Sequence, residues 1–133
     1  DSVFNASSVY RKITGEDLHN YDVHINIVGG GKIDGPSAGT AIFLALYSAI
    51  QNKPLPQDIA VTGELSIQGR IRAVGGIPEK IYGARQAGIK KVLVPSDNAK
   101  DSPPGLKGIA VTPVTAVEEV LELIFSSKPR LIN

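Results

Sequence analysis

Apolar residues recur at two spacings along this chain, and the two spacings predict different elements. Residues 2–13 carry Val9 and Ile13 on one side at helical spacing, so we predict that the chain begins with a helix. Residues 21–28 instead alternate between apolar and polar side chains, as a strand with one buried face does. A helix followed by a strand is therefore expected at the start.

The most apolar stretch is residues 37–51, which we predict to be a helix buried on all sides. Pro54 and Pro56 follow it and do not allow the helix to continue. Residues 59–67 and 70–74 are then expected to form two strands of a β-hairpin, joined by a turn at Gln68 and Gly69.

The second half of the chain again alternates between helix and strand patterns. The predicted elements are a helix at 78–87, a strand at 91–95, a strand at 109–112 and a helix at 115–125. This alternation predicts an α/β (α+β) fold, with a mixed β-sheet and a β-hairpin covered by about four helices. At 133 residues we expect one domain, which is long enough to bury most of its apolar surface.

Composition and charge argue against several classes of function. The net charge is +1 with both signs interspersed, so no nucleic acid is expected as a partner. With no cysteine, and two histidines without a ligand spacing, no disulfide and no metal site are expected. The longest apolar run, residues 41–47, is far short of the roughly 20 residues that cross a bilayer. We therefore expect no membrane segment and a cytoplasmic location.

A serine hydroxyl stands at the start of the predicted helix, in the stretch Asp-Gly-Pro-Ser-Ala-Gly at 34–39. The small neighbours of Ser37 leave room for a peptide backbone to approach it. The N–H groups at the helix start, together with the helix dipole, are candidate donors to an oxyanion. The alternative is that Ser37 merely caps the helix.

Lys80 stands 43 residues after Ser37, in the first turn of the next predicted helix and after a glycine pair. A serine that uses a lysine as its base is a variant of the Ser-His-Asp arrangement. Lysine accepts a proton only when it is neutral, and burial beside Ile77 and Ile81 at a helix start favours the neutral form. The alternative is a solvent-facing lysine paired with a carboxylate.

Two further polar residues are candidates for supporting roles. Thr62 is expected in the middle of an apolar strand, where a β-branched residue needs no functional explanation; the alternative is that its hydroxyl holds the Lys80 amine toward Ser37. Asp34 is either an ordinary turn residue or a carboxylate that pairs with protonated Lys80 and keeps the site inactive. The sequence leaves both alternatives open.

Four stretches together resemble the proteolytic domain of the Lon family of ATP-dependent Ser–Lys proteases. In order they are DGPSAG (34–39), TGE (62–64), GGIPEK (75–80) and AGIKKVLVPSDN (87–98). The resemblance implies that Ser37 is the nucleophile and Lys80 its base, with Thr62 and Asp34 as supporting residues. His24 and Asn26 stand where many members carry two histidines, and the loop at 29–33 is unusually rich in glycine. These two differences favour a Lon-like subgroup over the commonest bacterial type.

The resemblance also implies a fold and a cellular setting. The fold would be related to ribosomal-protein-type βαβ folds, and the activity would be a serine endopeptidase that degrades unfolded or regulatory proteins. Family members work as hexameric rings fed by an ATPase module. We expect residues 1–133 to be a single proteolytic domain that lacks the family's N-terminal β-rich segment and contains no ATPase.

The sequence also suggests two functions other than an endopeptidase. One is a non-catalytic βαβ scaffold in which Ser37 is only a helix cap. The other is a nucleotide-binding module, because residues 29–32 resemble a phosphate-binding loop. That motif needs a glycine where Asn26 stands and a serine or threonine where Ile33 stands, so it is disfavoured. ATP and Mg are therefore expected only in an ATPase domain outside this chain.

Overall fold

The computed structural model describes residues 2–18 and 35–125. The helices in these ranges are α1 (Ser2–Thr14), α2 (Gly39–Gln51), α3 (Ile77–Gln86) and α4 (Val117–Phe125), with short 3-10 helices at Gly35–Ala38 and Ser96–Asp101. The strands are β1 (Ile59–Val61), β2 (Glu64–Leu65), β3 (Ile71–Arg72), β4 (Lys91–Pro95) and β5 (Ala110–Val114). The strand predicted at 21–28, with His24 and Asn26, lies outside the described residues, and so does Asp34.

The strands form two small sheets of opposite kinds. β1, β4 and β5 make a parallel sheet in the order β1–β4–β5, and β2 pairs with β3 as an antiparallel hairpin. The crossover from β1 to β4 passes through α3, as a parallel pair requires. The predicted α/β fold with a mixed set of strands, a hairpin and covering helices is confirmed.

Alternate residues of β4 face two apolar clusters on opposite sides of the parallel sheet. Leu93 belongs to the cluster built with α1, α2 and α4. Val92 and Val94 instead pack with Ile77 and Ile81 of α3. Each fully buried side chain of this size contributes about 1.5–3 kcal/mol, so both helix layers are firmly attached to the sheet.

The single strand predicted at 59–67 is wrong, because it is two strands in two different sheets. β1 ends at Val61, and β2 begins at Glu64 after a break at Thr62 and Gly63. The break occurs because the backbone of Gly63 bonds to Ser37 in the 3-10 helix and to Thr40 in α2 rather than to a neighbouring strand. Thr62 therefore lies at the end of a strand and not in its middle.

The prediction that the second helix is buried on all sides is also wrong. Its buried residues are Gly39, Thr40, Phe43, Leu44 and Leu46. Ala41, Ala45 and Ala49 are exposed. A spacing of four places these alanines on one side of α2, and alanine presents little apolar surface to water. The second helix therefore has one buried and one exposed side, although nearly all of its residues are apolar.

The boundaries of the last two elements shift from those predicted. β5 occupies 110–114 rather than 109–112, and α4 begins at Val117 rather than at Thr115. The Glu119 carboxylate accepts the N–H groups of Thr115 and Ala116 at 2.9 and 3.1 Å, so it caps the residues just before the helix.

Candidate active site at the carboxyl edge of the sheet

Gly63 is the backbone junction that brings the serine stretch to the sheet. Its N–H donates to the Ser37 carbonyl at 3.3 Å, and its own carbonyl accepts the Thr40 N–H at 3.2 Å. The Thr40 hydroxyl, which is fully buried, donates to the same carbonyl at 2.9 Å. These three bonds place Ser37 beside Thr62, the residue before Gly63.

The conformation of Gly63 is one that only glycine adopts readily. Its φ is +146°, and a Cβ there would lie 2.5 Å from Ile71 Cγ2 and 3.3 Å from Pro95 Cγ. Gly39 is similarly close to its neighbour, since a Cβ there would lie 3.1 Å from the Leu65 nitrogen. Gly39, in the serine stretch, therefore allows α2 to approach Leu65 of β2. Gly63, in the stretch at 62–64, allows close contact with Ile71 of β3 and Pro95 of β4.

Thr62 follows directly on the carboxyl end of β1. Its N–H donates to the Leu93 carbonyl at 3.0 Å, which extends the pairing of β1 with β4 by one residue. Alternation along β1 places position 62 on the same face as Ala60, and that face is the one covered by α3. Thr62 is half-buried.

Lys80 lies in the first turn of α3, where its N–H donates to the Gly76 carbonyl at 3.0 Å. Gly76 caps the helix in a left-handed conformation at φ +71°. Because α3 runs back antiparallel to β1 and β4, its first turn lies at the carboxyl edge of the parallel strands. Lys80 is half-buried, between the buried Ile77 and Ile81 in sequence.

The three described candidates thus come to one edge of the sheet by different routes. Ser37 and Thr62 are joined directly through Gly63, whereas Lys80 is connected to them through α3 and β4. In open α/β sheets, the carboxyl edge is where ligands usually bind. Asp34 lies outside the described residues, so its placement relative to this edge stays a prediction.

The N-cap residue of α2 is Ala38, whose side chain makes no cap hydrogen bond. Ser37 lies one residue earlier, in the 3-10 turn Gly35–Ala38. It is therefore not the N-cap residue of α2, which removes one support for the scaffold interpretation. The structure also narrows the candidates for an oxyanion donor, because the Thr40 N–H is already bonded to Gly63.

Sequence reasoning missed two buried polar residues near this edge, Thr40 and Asn98. Thr40 holds the Gly63 carbonyl, and Asn98 holds both backbone groups of Val74, ahead of α3. Both stand inside or beside the family-like stretches, but no spacing rule connects Asn98 to a partner 24 residues earlier in the chain.

In residues 2–18 and 35–125, no cluster of three or more potential metal ligands comes together. Within the same ranges, no helix is long and apolar enough to span a membrane.

Comparison with known proteins identifies the family. The family model described as Lon protease (S16) C-terminal proteolytic domain matches residues 2–127, so the chain belongs to this family of proteolytic domains. It is 43% identical to the archaeal Lon protease of Archaeoglobus fulgidus, over all of this chain and 22% of that protein. It is 40% identical to Lon protease 2 of Bacillus subtilis, over 96% of this chain and 23% of that protein.

A third relative, the archaeal Lon protease of Thermococcus kodakarensis, is 37% identical over 97% of this chain and 21% of its own length. The chain therefore spans about a fifth of the length of these curated relatives. The expected family is confirmed by these matches.

Proposed function

We propose that this chain is the serine endopeptidase domain of an ATP-dependent protease, with Ser37 as nucleophile and Lys80 as its base. One observation carries the proposal: Gly63 bonds the Ser37 peptide to the carboxyl edge of the sheet, where α3 begins with Lys80 in its first turn. Membership of a family of proteolytic domains supports the same assignment.

The chemistry needs one amine that takes up and returns a proton twice, once while the acyl-enzyme forms and once while it is hydrolysed. The neutral Lys80 Nζ takes the proton of the Ser37 hydroxyl as Oγ attacks the carbonyl carbon of a peptide bond. The tetrahedral intermediate then collapses, the C–N bond breaks, and Nζ returns the proton to the leaving amine. A water molecule, deprotonated by the same amine, hydrolyses the acyl-enzyme and restores the Ser37 hydroxyl.

Thr62 and Asp34 take supporting roles in this proposal. The Thr62 hydroxyl holds the Lys80 amine toward Ser37, on the face of β1 that α3 covers. The Asp34 carboxylate, three residues before the nucleophile, pairs with protonated Lys80 in an inactive state of the site.

The proposal extends to the setting of the whole protein. Its substrates would be unfolded or regulatory proteins, and its assembly a six-membered ring in the cytoplasm. ATP and Mg would bind to an ATPase module outside this chain, because residues 29–33 fail the phosphate-loop pattern. Nucleic acid is not among the proposed partners, since a net charge of +1 supplies no concentrated basic surface.

Replacing either member of the proposed dyad should abolish peptide cleavage. Ser37→Ala and Lys80→Ala should each lower kcat by about 10⁴-fold or more, and the double variant should be little worse, because the two residues act as a unit. Circular dichroism should show an unchanged fold. Lys100→Ala, which removes an exposed lysine, is the matched control and should keep full activity.

A serine-reactive phosphonate separates this proposal from the scaffold alternative. An activated Ser37 should be labelled rapidly, and Ser37→Ala should not be labelled, whereas a serine without a base reacts far more slowly. Near-normal cleavage by Lys80→Ala would remove lysine from the mechanism. An unlabelled wild-type protein would favour the scaffold.

A further inference from the structure

Asn98 is a buried polar side chain that clamps one residue of the segment leading to Lys80. Its side chain is 4% exposed. Asn98 Oδ1 accepts the Val74 N–H at 2.9 Å, and Nδ2 donates to the Val74 carbonyl at 2.9 Å. The other Nδ2 hydrogen goes to Asp101 Oδ2 at 2.8 Å. Both amide donors are therefore used, and both backbone polar groups of Val74 are held by one side chain.

The clamp acts directly before the glycine pair that leads into α3. Gly75 and Gly76 separate Val74 from the helix, both are exposed, and a Cβ at Gly75 would meet nothing within 4 Å. A glycine pair permits many backbone arrangements, so it does not by itself decide where the helix starts. Fixing Val74 therefore limits where Lys80, in the first turn of α3, is placed.

The same stretch of chain that carries Asn98 also holds Thr62. The 3-10 helix Ser96–Asp101 follows β4 directly, and Leu93 of β4 accepts the Thr62 N–H. Residues 91–101 thus hold Thr62 through a backbone bond and the approach to α3 through the Asn98 side chain. They are a common frame for the two parts of the candidate site.

We propose that Asn98 is a positioning residue for Lys80: by holding Val74, it sets where α3 begins relative to the Thr62–Gly63 junction. The inference rests on the proposed function, because it takes Lys80 to be the base. Asn98 acts through the start of α3 and not on the substrate.

The test compares single and double variants in the full-length protein, using the rate of phosphonate labelling at Ser37 together with kcat and KM on a peptide. Asn98→Ala should slow labelling and lower kcat by about 10- to 100-fold, the effect of misplacing a catalytic group by about 1 Å. KM should change by less than about 3-fold, since the substrate contacts are not altered. Hydrogen exchange at the Val74 amide should become faster.

A double variant distinguishes positioning from a merely structural role. In a Lys80→Ala background, with labelling followed for hours, Asn98→Ala should slow labelling by less than about 2-fold further, because no base is left to position. A general loosening of the fold would instead slow both backgrounds by the same factor.

Two further variants serve as controls. Asp101→Asn keeps an oxygen that accepts from Asn98 Nδ2 and leaves both bonds to Val74 in place, so it should label at close to the wild-type rate. Asn98→Asp combined with Asp101→Asn preserves shape and the side-chain pair but removes the donor to the Val74 carbonyl, so it should stay slow. If Asn98→Ala does not fold, the labelling rate of this double variant tests the inference in its place.

Labelling of Asn98→Ala at the wild-type rate would overturn the inference. So would an equal slowing of labelling by Asn98→Ala in the wild-type and Lys80→Ala backgrounds. A wild-type protein that is not labelled, or a Lys80→Ala protein that is labelled normally, overturns the proposed function itself. In those two cases there is no base for Asn98 to position, and the inference falls with the proposal.

Discussion

At the scale of single residues, Thr62 has separable backbone and side-chain roles. Its N–H is committed to the Leu93 carbonyl, a bond that any non-proline residue at this position makes. Its hydroxyl is the part that the proposed mechanism uses. Substitutions of the side chain therefore test the hydroxyl without removing the pairing of this residue with β4.

Thr62→Val should lower kcat by about 10-fold, which corresponds to the roughly 1.4 kcal/mol of one hydrogen bond. Valine keeps the β-branched shape, so the free energy of unfolding should change little. Thr62→Ser restores a hydroxyl and should recover most of the activity. Equal activity in Thr62→Val and the wild type would show that only the shape of residue 62 matters.

Asp34 is a prediction from the sequence, and pH is the variable that tests it. Pairing with a carboxylate favours protonated Lys80, so activity should rise toward alkaline pH as the pair is lost. Asp34→Asn should move this rise to lower pH, because the carboxylate that favours the protonated amine is gone. Asp97→Asn, which alters an exposed carboxylate, should leave the profile in place. An unshifted profile for Asp34→Asn would leave Asp34 as a turn residue.

At the scale of elements, the site depends on how closely α2 approaches the strands. The Gly63 backbone connects the start of α2 to the end of β1, and Pro95 at the end of β4 packs against it. This contact has no room for a methyl group, unlike the exposed side of α3, where a Cβ at Gly83 would meet nothing within 4 Å.

Gly63→Ala should therefore lower the free energy of unfolding by about 2–4 kcal/mol, because it combines an unfavourable φ with a clash against Ile71. The rate of peptide cleavage should fall as well, since a shift of the residue 63 backbone would disturb its hydrogen bond to the Ser37 carbonyl. Gly83→Ala is the matched control and should raise stability by about 0.5–1 kcal/mol, because alanine favours a helix. Denaturant unfolding of the two variants checks the prediction, and equal effects would contradict it.

At the scale of the whole molecule, Tyr10 ties α1 to α2 from inside the core. Its ring is fully buried, and its hydroxyl accepts from Gln51 Nε2 at 2.8 Å and donates to Glu16 Oε1 at 3.2 Å. Burial raises the pKa of the Tyr10 phenol above 10.0, and the Glu16 carboxylate adds to the rise. The folded protein therefore holds this proton more tightly than the unfolded chain does.

The higher pKa of Tyr10 in the folded protein determines how stability changes with pH. Below about pH 10 both states keep the phenol proton and the stabilisation is complete; above it, the unfolded chain loses the proton first and stability declines. Tyr10→Phe should cost about 1 kcal/mol at neutral pH through its lost hydrogen bonds, yet it should show a shallower decline from pH 10 to 11. Urea unfolding at several pH values measures this. Tyr82→Phe, at an exposed position, should decline as the wild type does.

Local patterns in the sequence were sufficient for most of the elements. The strand at 91–95 was predicted with the bounds it has, and the first and third helices were placed to within one residue at each end. Periodicity and the positions of Gly and Pro report on a single segment and its neighbours, so they succeed where a segment's own preference decides its structure. The family-like stretches similarly identified the residues of the candidate site, whose roles stay predictions.

Contacts between segments distant in the chain decided the features that local sequence patterns do not predict. The pairing with β4 ends after Thr62 because the Gly63 backbone bonds to Ser37 and Thr40 instead, and those partners are more than 20 residues away in the chain. The exposed alanines of α2 and the Asn98 clamp on Val74 likewise depend on which segments meet in space. The sequence by itself determined the elements and the candidate chemistry. Only the packing of α2 and α3 against β1 and β4 decided which edge of the sheet the candidate residues Ser37, Thr62 and Lys80 occupy, because hydrogen bonds between distant segments leave no periodic signal.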